Sequence, residues 1–270
     1  MPFDIKNLQQ RLISSAVIAP LALLAVYCGG WVYGLTATLI VVLGMGEWLR
    51  LADPHANRGV VVFAYTSLAL TMALGAWQSP AFGAMLGAVF ALVLFLLAAR
   101  DHEGSAGWIA LGMPYLAGFG LAMLFLRATS NGGMAQVYYL FATVWGTDIG
   151  AYAAGRLIGG PKLAPDISPN KTWAGFFGGM VLASAFGYAV AVVFGARQAS
   201  VGIGLAVLLA CTSQLGDLFE SWLKRRADVK ESGDLIPGHG GVLDRIDGLI
   251  FAAVFFSLFQ IAVGQKIQWW

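Results

Sequence analysis

The sequence predicts an all-α polytopic membrane protein of about nine transmembrane helices. Three observations point there. Apolar residues make up 59% of the chain before its 35 glycines are counted, whereas soluble domains reach about 45–50% with glycine included. Charged residues are only 11%, against about 25% in a soluble chain, too few to cover a water-facing surface. The apolar residues also come in uninterrupted runs, and a span needs about 20 of them. A soluble enzyme, a disordered chain and, at a net charge of +2, a nucleic-acid-binding protein are excluded.

The runs place the helices. Leu12–Gly46 carries no charge and breaks at Gly29–Gly30, giving helices one and two. Gly59–Ala99 carries none and breaks at Gln78, Ser79 and Pro80, giving helices three and four. Gly104–Leu126 is the fifth, Met134–Gly155 the sixth, Thr172–Ala196 the seventh, Val201–Trp222 the eighth and Gly248–Gln265 the ninth. The longest connections are Arg156–Lys171 and Leu223–Asp247. Two parts follow. Residues 1–133, with helices one to five, form a scaffold offering lipid or dimer contacts. Residues 134–270, with helices six to nine, carry the chemistry.

Basic residues test this map. With the N-terminus in the cytoplasm, 13 of the 16 Lys and Arg are cytoplasmic, and only Arg127, Arg197 and Lys266 lie on the other side. That is the positive-inside asymmetry, and nine spans then put the C-terminus outside. Trp31, Trp48, Trp77, Trp173 and Trp222 fall at span ends, where interfacial rings belong. Phe3, Ile5, Leu8 and Leu12 have helical spacing among polar residues, which suits either a segment along the cytoplasmic interface or a plain extension of helix one. Cys28 and Cys211 both sit in apolar stretches, so no disulfide framework is implied. Glycine-rich helices permit close packing, which leaves room for a homodimer.

In the first five helices the charges lie in loops or at span ends. Glu47, near the end of helix two, reads as an interfacial carboxylate beside Arg50. The last four helices differ. Asp148 lies inside helix six, in Trp145-Gly-Thr-Asp-Ile-Gly-Ala-Tyr152, and Asp217 lies inside helix eight, in Thr212-Ser-Gln-Leu-Gly-Asp-Leu-Phe-Glu220. A carboxylate within a span is costly unless it faces a cavity, a cation or a partner. Asp148 precedes Gly155, and Asp217 precedes Trp222, by about 10 and 7 Å of helix. Both are thus expected at one shallow depth on the cytoplasmic side.

The connection after helix eight, Ser221–Gly248, is the densest polar stretch. Lys224, Arg225, Arg226 and Lys230 are phosphate-binding side chains, although a basic run beside a helix end also serves topology. Pro237-Gly-His-Gly-Gly241 is a glycine-rich loop whose N–H groups could approach phosphate oxygens. Asp244-Arg-Ile-Asp247 begins helix nine, with its carboxylates three apart on one face. They suit Mg²⁺, which takes one or two carboxylates plus substrate phosphates. Helix eight ends where helix nine begins, so Asp217 and Asp244 are expected to meet across one site. Before helix seven, Ser168-Pro-Asn-Lys-Thr-Trp-Ala-Gly175 puts Lys171 and Thr172 at a helix N-terminus, where anions bind.

These residues resemble the signature of phosphatidate cytidylyltransferases, the CDP-diacylglycerol synthases. Ser221, Leu223, Lys224, Arg225, Lys230, Gly233, Ile236, Pro237, His239, Gly240, Gly241, Asp244, Arg245 and Asp247 stand at its positions, with Glu231 where the family usually has Asp. Gly146-Thr-Asp148 and Ser168-Pro-Asn-Lys-Thr-Trp173 are similar too, with Ala174 where Glu is frequent. The resemblance covers the C-terminal half; the earlier helices fit by hydropathy and count.

The resemblance implies CTP and phosphatidate giving CDP-diacylglycerol and pyrophosphate, in phospholipid biosynthesis at the inner (plasma) membrane, with the site on the cytoplasmic side. It implies Mg²⁺, with a second cation allowed, held by Asp217 and Asp244, with Asp247 and Asp148 as further ligand candidates. Lys224, Arg225, Lys230 and Arg245 would cradle phosphates, with His239 as a phosphate donor. Lys171, flanked by Asn170 and Thr172, would reach the lipid phosphate or pyrophosphate. Ser221 would bind phosphate, and Gly240 and Gly241 would allow close backbone approach. The partners are CTP, phosphatidate and membrane lipid, with no nucleic acid. Two rivals stand: a related CTP-dependent polyprenol or phytol kinase, and an ion-coupled transporter, against which the one-sided clustering of the acids speaks.

Overall fold

Glycine, proline and side-chain caps set the helix ends. The computed structural model describes residues 5–130, 132–238, 240–264 and 269, with side chains from residue 14 onward. His239 and the side chains of Phe3, Ile5, Leu8 and Leu12 lie outside the described residues. Among those described, the chain forms α1 (Ile5–Cys28), α2 (Gly30–Ala52), α3 (Arg58–Trp77), α4 (Pro80–Asp101), α5 (Ala106–Ala128), α6 (Gly133–Leu157), β1 (Lys162–Ala164), β2 (Ser168–Thr172), α7 (Trp173–Val193), α8 (Ala199–Arg226) and α9 (Leu243–Phe259), which runs on as a π-helical turn, Gln260–Gly264.

Local chemistry accounts for most of these ends. The chain breaks between α1 and α2 at Gly29 and Gly30, with φ of 62° and 50°, a region that side chains avoid. Asn57 caps α3 by accepting from the Val60 N–H at 2.9 Å. Ser79 caps α4 by accepting from Phe82 at 3.1 Å, with Pro80 in the first turn where no N–H is needed. Thr172 caps α7 by accepting from Gly175 at 3.1 Å.

Among the described residues, seven helices are long and apolar enough to cross a membrane: α2, α3, α4, α5, α7, α8 and Leu243–Val263. The protein is therefore a helical, multi-pass membrane protein. In α1 the described stretch Ser14–Cys28 is apolar as well. Helix α6 is diluted by Gln136, Thr143, Thr147 and Asp148. Large apolar side chains such as Val89, Leu92 and Leu96 on α4, and Val181 and Val193 on α7, stay exposed, as lipid-facing surfaces should.

Strands β1 and β2 form a short antiparallel hairpin that leads into α7, an addition to an otherwise helical chain. Helix α9 starts at Leu243, ahead of its apolar run and beside the Asp244–Asp247 segment expected to open it, for a reason given by Glu47 below.

The chain divides into two compact units, Met1–Leu124 with Arg226–Ile246, and Phe125–Arg225 with Asp247–Trp270. The division at 133/134 read from the sequence groups the α8–α9 connection with the last four helices; it packs instead with the first five. In the first unit Trp48 is fully buried. Its indole donates to the Trp108 carbonyl at 2.8 Å and its ring lies 4.7 Å from that of Tyr115. In the second unit α6 and α7 pack at small residues: a Cβ at Gly175 would lie 2.8 Å from the Ala151 carbonyl and one at Gly179 3.0 Å from that of Thr147. Tyr139 sits buried between Phe256 and Trp269 and donates to the Gly202 carbonyl.

Candidate active site

The second unit gathers acids from three helices. Asp148 comes from α6, Asp217 and Glu220 from α8, and Asp247 from α9. Asp247 interacts electrostatically with the other three. Backbone contact between α8 and α9 makes this possible. A Cβ on Gly216 would stand 2.5 Å from the Asp247 carbonyl oxygen and 3.2 Å from Gly248 Cα. Only glycine lets two helices approach so closely, and the residues beside those glycines are Asp217 and Asp247.

Two ammonium groups partly balance the acids. Lys171, from β2, lies 2.6 Å from Asp217 Oδ2. Lys224 lies 2.5 Å from Glu220 Oε2, one turn away on α8. The Glu220 side chain is 1% exposed, a position tolerable for a carboxylate only with such a partner. Four carboxylates against two ammoniums leave a formal charge of −2. Ser221 adds a weak hydroxyl contact to Asp217 at 3.4 Å. Asn170 is exposed on β2, and Arg225 is exposed at the end of α8. Among the described residues, no three His, Cys, Asp or Glu side chains converge closely enough to hold a metal as they stand.

In the first unit, the connection from Arg226 to Ile246 folds around Asp244. Asp244 Oδ2 accepts from the Ser232 N–H, the Ser232 hydroxyl and the Gly241 N–H, each at 2.9 Å. The loop doubles back at Ile236, whose N–H donates to the Gly240 carbonyl at 2.8 Å. Gly238 and Gly240 have φ of 74° and 81°, which this reversal requires. Glu47, on α2, accepts from Val242, Leu243 and Ser232. A pocket of about 540 Å³ opens beside the loop, lined by Arg50, Arg226, Glu231 and Ser232 among others. Arg226 is steadied there by the Trp108 ring, 4.2 Å from its guanidinium carbon. Lys230 and Arg245 are exposed.

The site residues expected from the sequence thus fall into two sets. Asp148, Lys171, Asp217, Ser221, Lys224 and Asp247 belong to the second unit, and Lys230, Gly240, Gly241, Asp244 and Arg245 to the first. The N–H of Gly241, expected to face a phosphate, is committed to Asp244.

A family model described as the cytidylyltransferase family matches residues 9–262. The chain belongs to the cytidylyltransferase family. A phosphatidate cytidylyltransferase of Brucella suis biovar 1 (strain 1330) is 40% identical over 254 residues, covering 94% of this chain and 93% of its own. One of Pseudomonas aeruginosa (strain PAO1) is 37% identical over 269 residues, 95% of this chain and 98% of its own. One of Haemophilus influenzae is 33% identical over 291 residues, covering 95% and 99%. The resemblance read in Ser221–Asp247 is borne out, and it extends to the N-terminal helices that hydropathy alone supported.

For this cytidylyltransferase-family chain, sequence reasoning missed three contributors. Glu220 was legible only as part of a helical run, and its burial against Lys224 is what singles it out. Arg50 read as topology, although it shares a pocket with Arg226. Glu47 read as an interfacial carboxylate. Its one sequence signal is that it is the only acid in α2.

Proposed function

We infer that the chain is a phosphatidate cytidylyltransferase, transferring CMP from CTP to phosphatidate to give CDP-diacylglycerol and pyrophosphate in phospholipid biosynthesis. It works as a multi-pass protein of the bacterial inner membrane, with nine spans, the N-terminus and the site on the cytoplasmic side, and the C-terminus outside. The 13-to-3 division of basic residues supports that orientation. Full-length similarity to proteins of that name supports the activity.

The observation that carries the site is the set of four carboxylates from α6, α8 and α9 facing two lysines. The donors are hard oxygens with a formal surplus of two negative charges, which fits Mg²⁺. Asp217 and Asp247 would hold it, with Asp148 beside them. The Lys171 ammonium, 2.6 Å from Asp217, stands where a cation is welcome. When bound, the ion would neutralise triphosphate oxygens.

The reaction joins a phosphatidate phosphate oxygen to the α-phosphorus of CTP. The bond from that phosphorus to the bridging oxygen of the β-phosphate breaks, and the electron pair leaves with pyrophosphate. The attacking oxygen is ionised near neutral pH, so no base has to remove a proton. The demand on the protein is to bring anions together, which is positioning plus charge neutralisation. Lys171 and Lys224 meet phosphate oxygens at the acid cluster. Arg225, Lys230, Arg245 and His239 would serve phosphate oxygens, and Arg50 and Arg226 line a pocket of the first unit that suits an anion. Asp244 shapes the loop that carries Lys230.

Purified protein given phosphatidate vesicles, Mg²⁺ and CTP labelled at the α-phosphate should move label into lipid and release pyrophosphate. Label reaching lipid only from the γ-position would replace this reading with a CTP-dependent lipid kinase.

A further inference from the structure

Glu47 is 1% exposed. A carboxylate buried on a membrane helix is costly unless donors replace its water. Its donors all come from the α8–α9 connection. Oε1 accepts from the Val242 N–H at 2.7 Å. Oε2 accepts from the Leu243 N–H and the Ser232 hydroxyl, both at 2.8 Å. Val242 and Leu243 stand at the start of α9, where N–H groups have no partner in their own helix and an anion is favoured by the helix dipole. Glu47 thus caps α9 from another helix. That explains why α9 begins at Leu243, well before the residue at which its apolar run begins.

The same carboxylate is tied to Asp244. The Ser232 hydroxyl lies 2.8 Å from Glu47 Oε2 and 2.9 Å from Asp244 Oδ2, so one side chain links the two acids. The glycines of the connection fit around them. A Cβ on Gly233 would stand 2.9 Å from Glu47 Oε1, and one on Gly241 would fall on Glu47 Oε2 and Ser232 Oγ. These two glycines are small because a carboxylate of the protein occupies the space a side chain would need.

We propose that Glu47 is a positioning residue for cytidylyl transfer, a role that rests on the function inferred above. It touches no substrate. It holds the loop that carries Asp244 and Lys230 and sets where α9 starts, one turn ahead of Asp247.

The test uses the full-length chain in phosphatidate vesicles, with Glu47→Gln, Glu47→Ala, Gly233→Ala and the double variant Glu47→Ala/Gly233→Ala. Supporting partners of functional side chains are worth about 10- to 100-fold. Glu47→Gln, which keeps one accepting oxygen, should therefore lose about tenfold in kcat, and Glu47→Ala more. The KM for CTP should rise by less than kcat falls, since Lys230 on the loosened loop makes only part of the ground-state contact to the triphosphate. Trypsin should cut after Lys230 about tenfold faster in both, because cleavage follows local opening. Gly233→Ala should cost activity in the wild-type background and nothing further beside Glu47→Ala, because the oxygen it strikes is gone. Wild-type kcat and protease resistance in Glu47→Gln would overturn the proposal, as would independent, multiplying losses for Glu47→Ala and Gly233→Ala. If Glu47→Ala does not fold, Glu47→Gln and Gly233→Ala decide alone. If the wild-type chain transfers no label, the inferred reaction fails, while the proteolysis arm still decides whether Glu47 holds the loop.

Discussion

Replacing Gly216 with alanine isolates the close approach of α8 and α9. The new Cβ would stand 2.5 Å from the Asp247 carbonyl oxygen, and 3.2 Å from both Gly248 Cα and Phe251 Cβ. Ordinary contacts lie at about 3.5–4.0 Å, so the helices must part by roughly 1 Å, and the obstructing atoms include backbone that no rotamer change removes. Overpacking of this kind costs about 1–3 kcal/mol, while the Gly-to-Ala exchange within a helix returns about 1 kcal/mol. The net loss of stability is thus about 0–2 kcal/mol. The effect on turnover should be larger. The displaced backbone carries Asp217 and Asp247, and a misplacement of about 1 Å can cost about 100-fold. Gly204→Ala on the same helix is the control, because nothing lies within 4 Å of its Cβ; it keeps the propensity gain without the collision. Incorporation of α-labelled CTP into lipid and the thermal midpoint in detergent should be measured side by side. Gly216→Ala is expected to lose most of its kcat with a small change in midpoint, and Gly204→Ala to lose neither. Equal kcat in the two variants would refute the reasoning.

Three further outcomes are expected. Asp217→Asn and Asp244→Asn should each lose at least about 100-fold in turnover. Asp244→Asn should also expose the 226–246 loop to trypsin, because Asp244 Oδ2 accepts from Ser232 and Gly241 within it. Asp53, outside the spans, is pushed up by burial but held below the ordinary carboxylate value by the Ser105 hydroxyl, the His55 N–H and His102. Its stabilisation is therefore complete above the unfolded value of about 3.9 and is lost as pH falls below it. Thermal midpoints in detergent should show a steeper acid-side fall for wild type than for Asp53→Asn. Finally, an N-terminus in the cytoplasm puts the α1–α2 turn outside. A membrane-impermeant maleimide added to intact spheroplasts should label exposed Cys28 and leave Cys211, inside α8, unmodified.

What could be read from the sequence was what local chemistry decides. Gly29–Gly30 and Ser79-Pro80 end and start helices by their own backbone preferences, so the breaks between α1 and α2 and between α3 and α4 fall where composition puts them. Asp148 and Asp217 stood out because an acid inside an apolar run is visible without any partner. The start of α9 was legible at Asp244–Asp247, but its cap was not, since it comes from Glu47, nearly two hundred residues earlier in the chain. Nor was Lys171 as the partner of Asp217, because that pair depends on how β2 sits against α8. The glycines of Pro237–Gly241 suggested backbone open to a phosphate. In the structure Gly241 spends its N–H on Asp244 and its bare face on Glu47, a distinction that spacing cannot express.

The two compact units interleave along the chain, and that has a consequence for biosynthesis. The first unit contains everything up to Leu124 but also needs Arg226–Ile246; the second needs Asp247–Trp270. At about 5–20 residues per second, the hundred or so residues in between take about 5–20 s to make. During that interval Glu47 has already been synthesised and its donors have not. Helices α1 to α5 are thus made with a carboxylate whose donors, in the same unit, have yet to be synthesised. Factors that shelter polar residues of inserting helices should matter more for this chain than its short loops suggest.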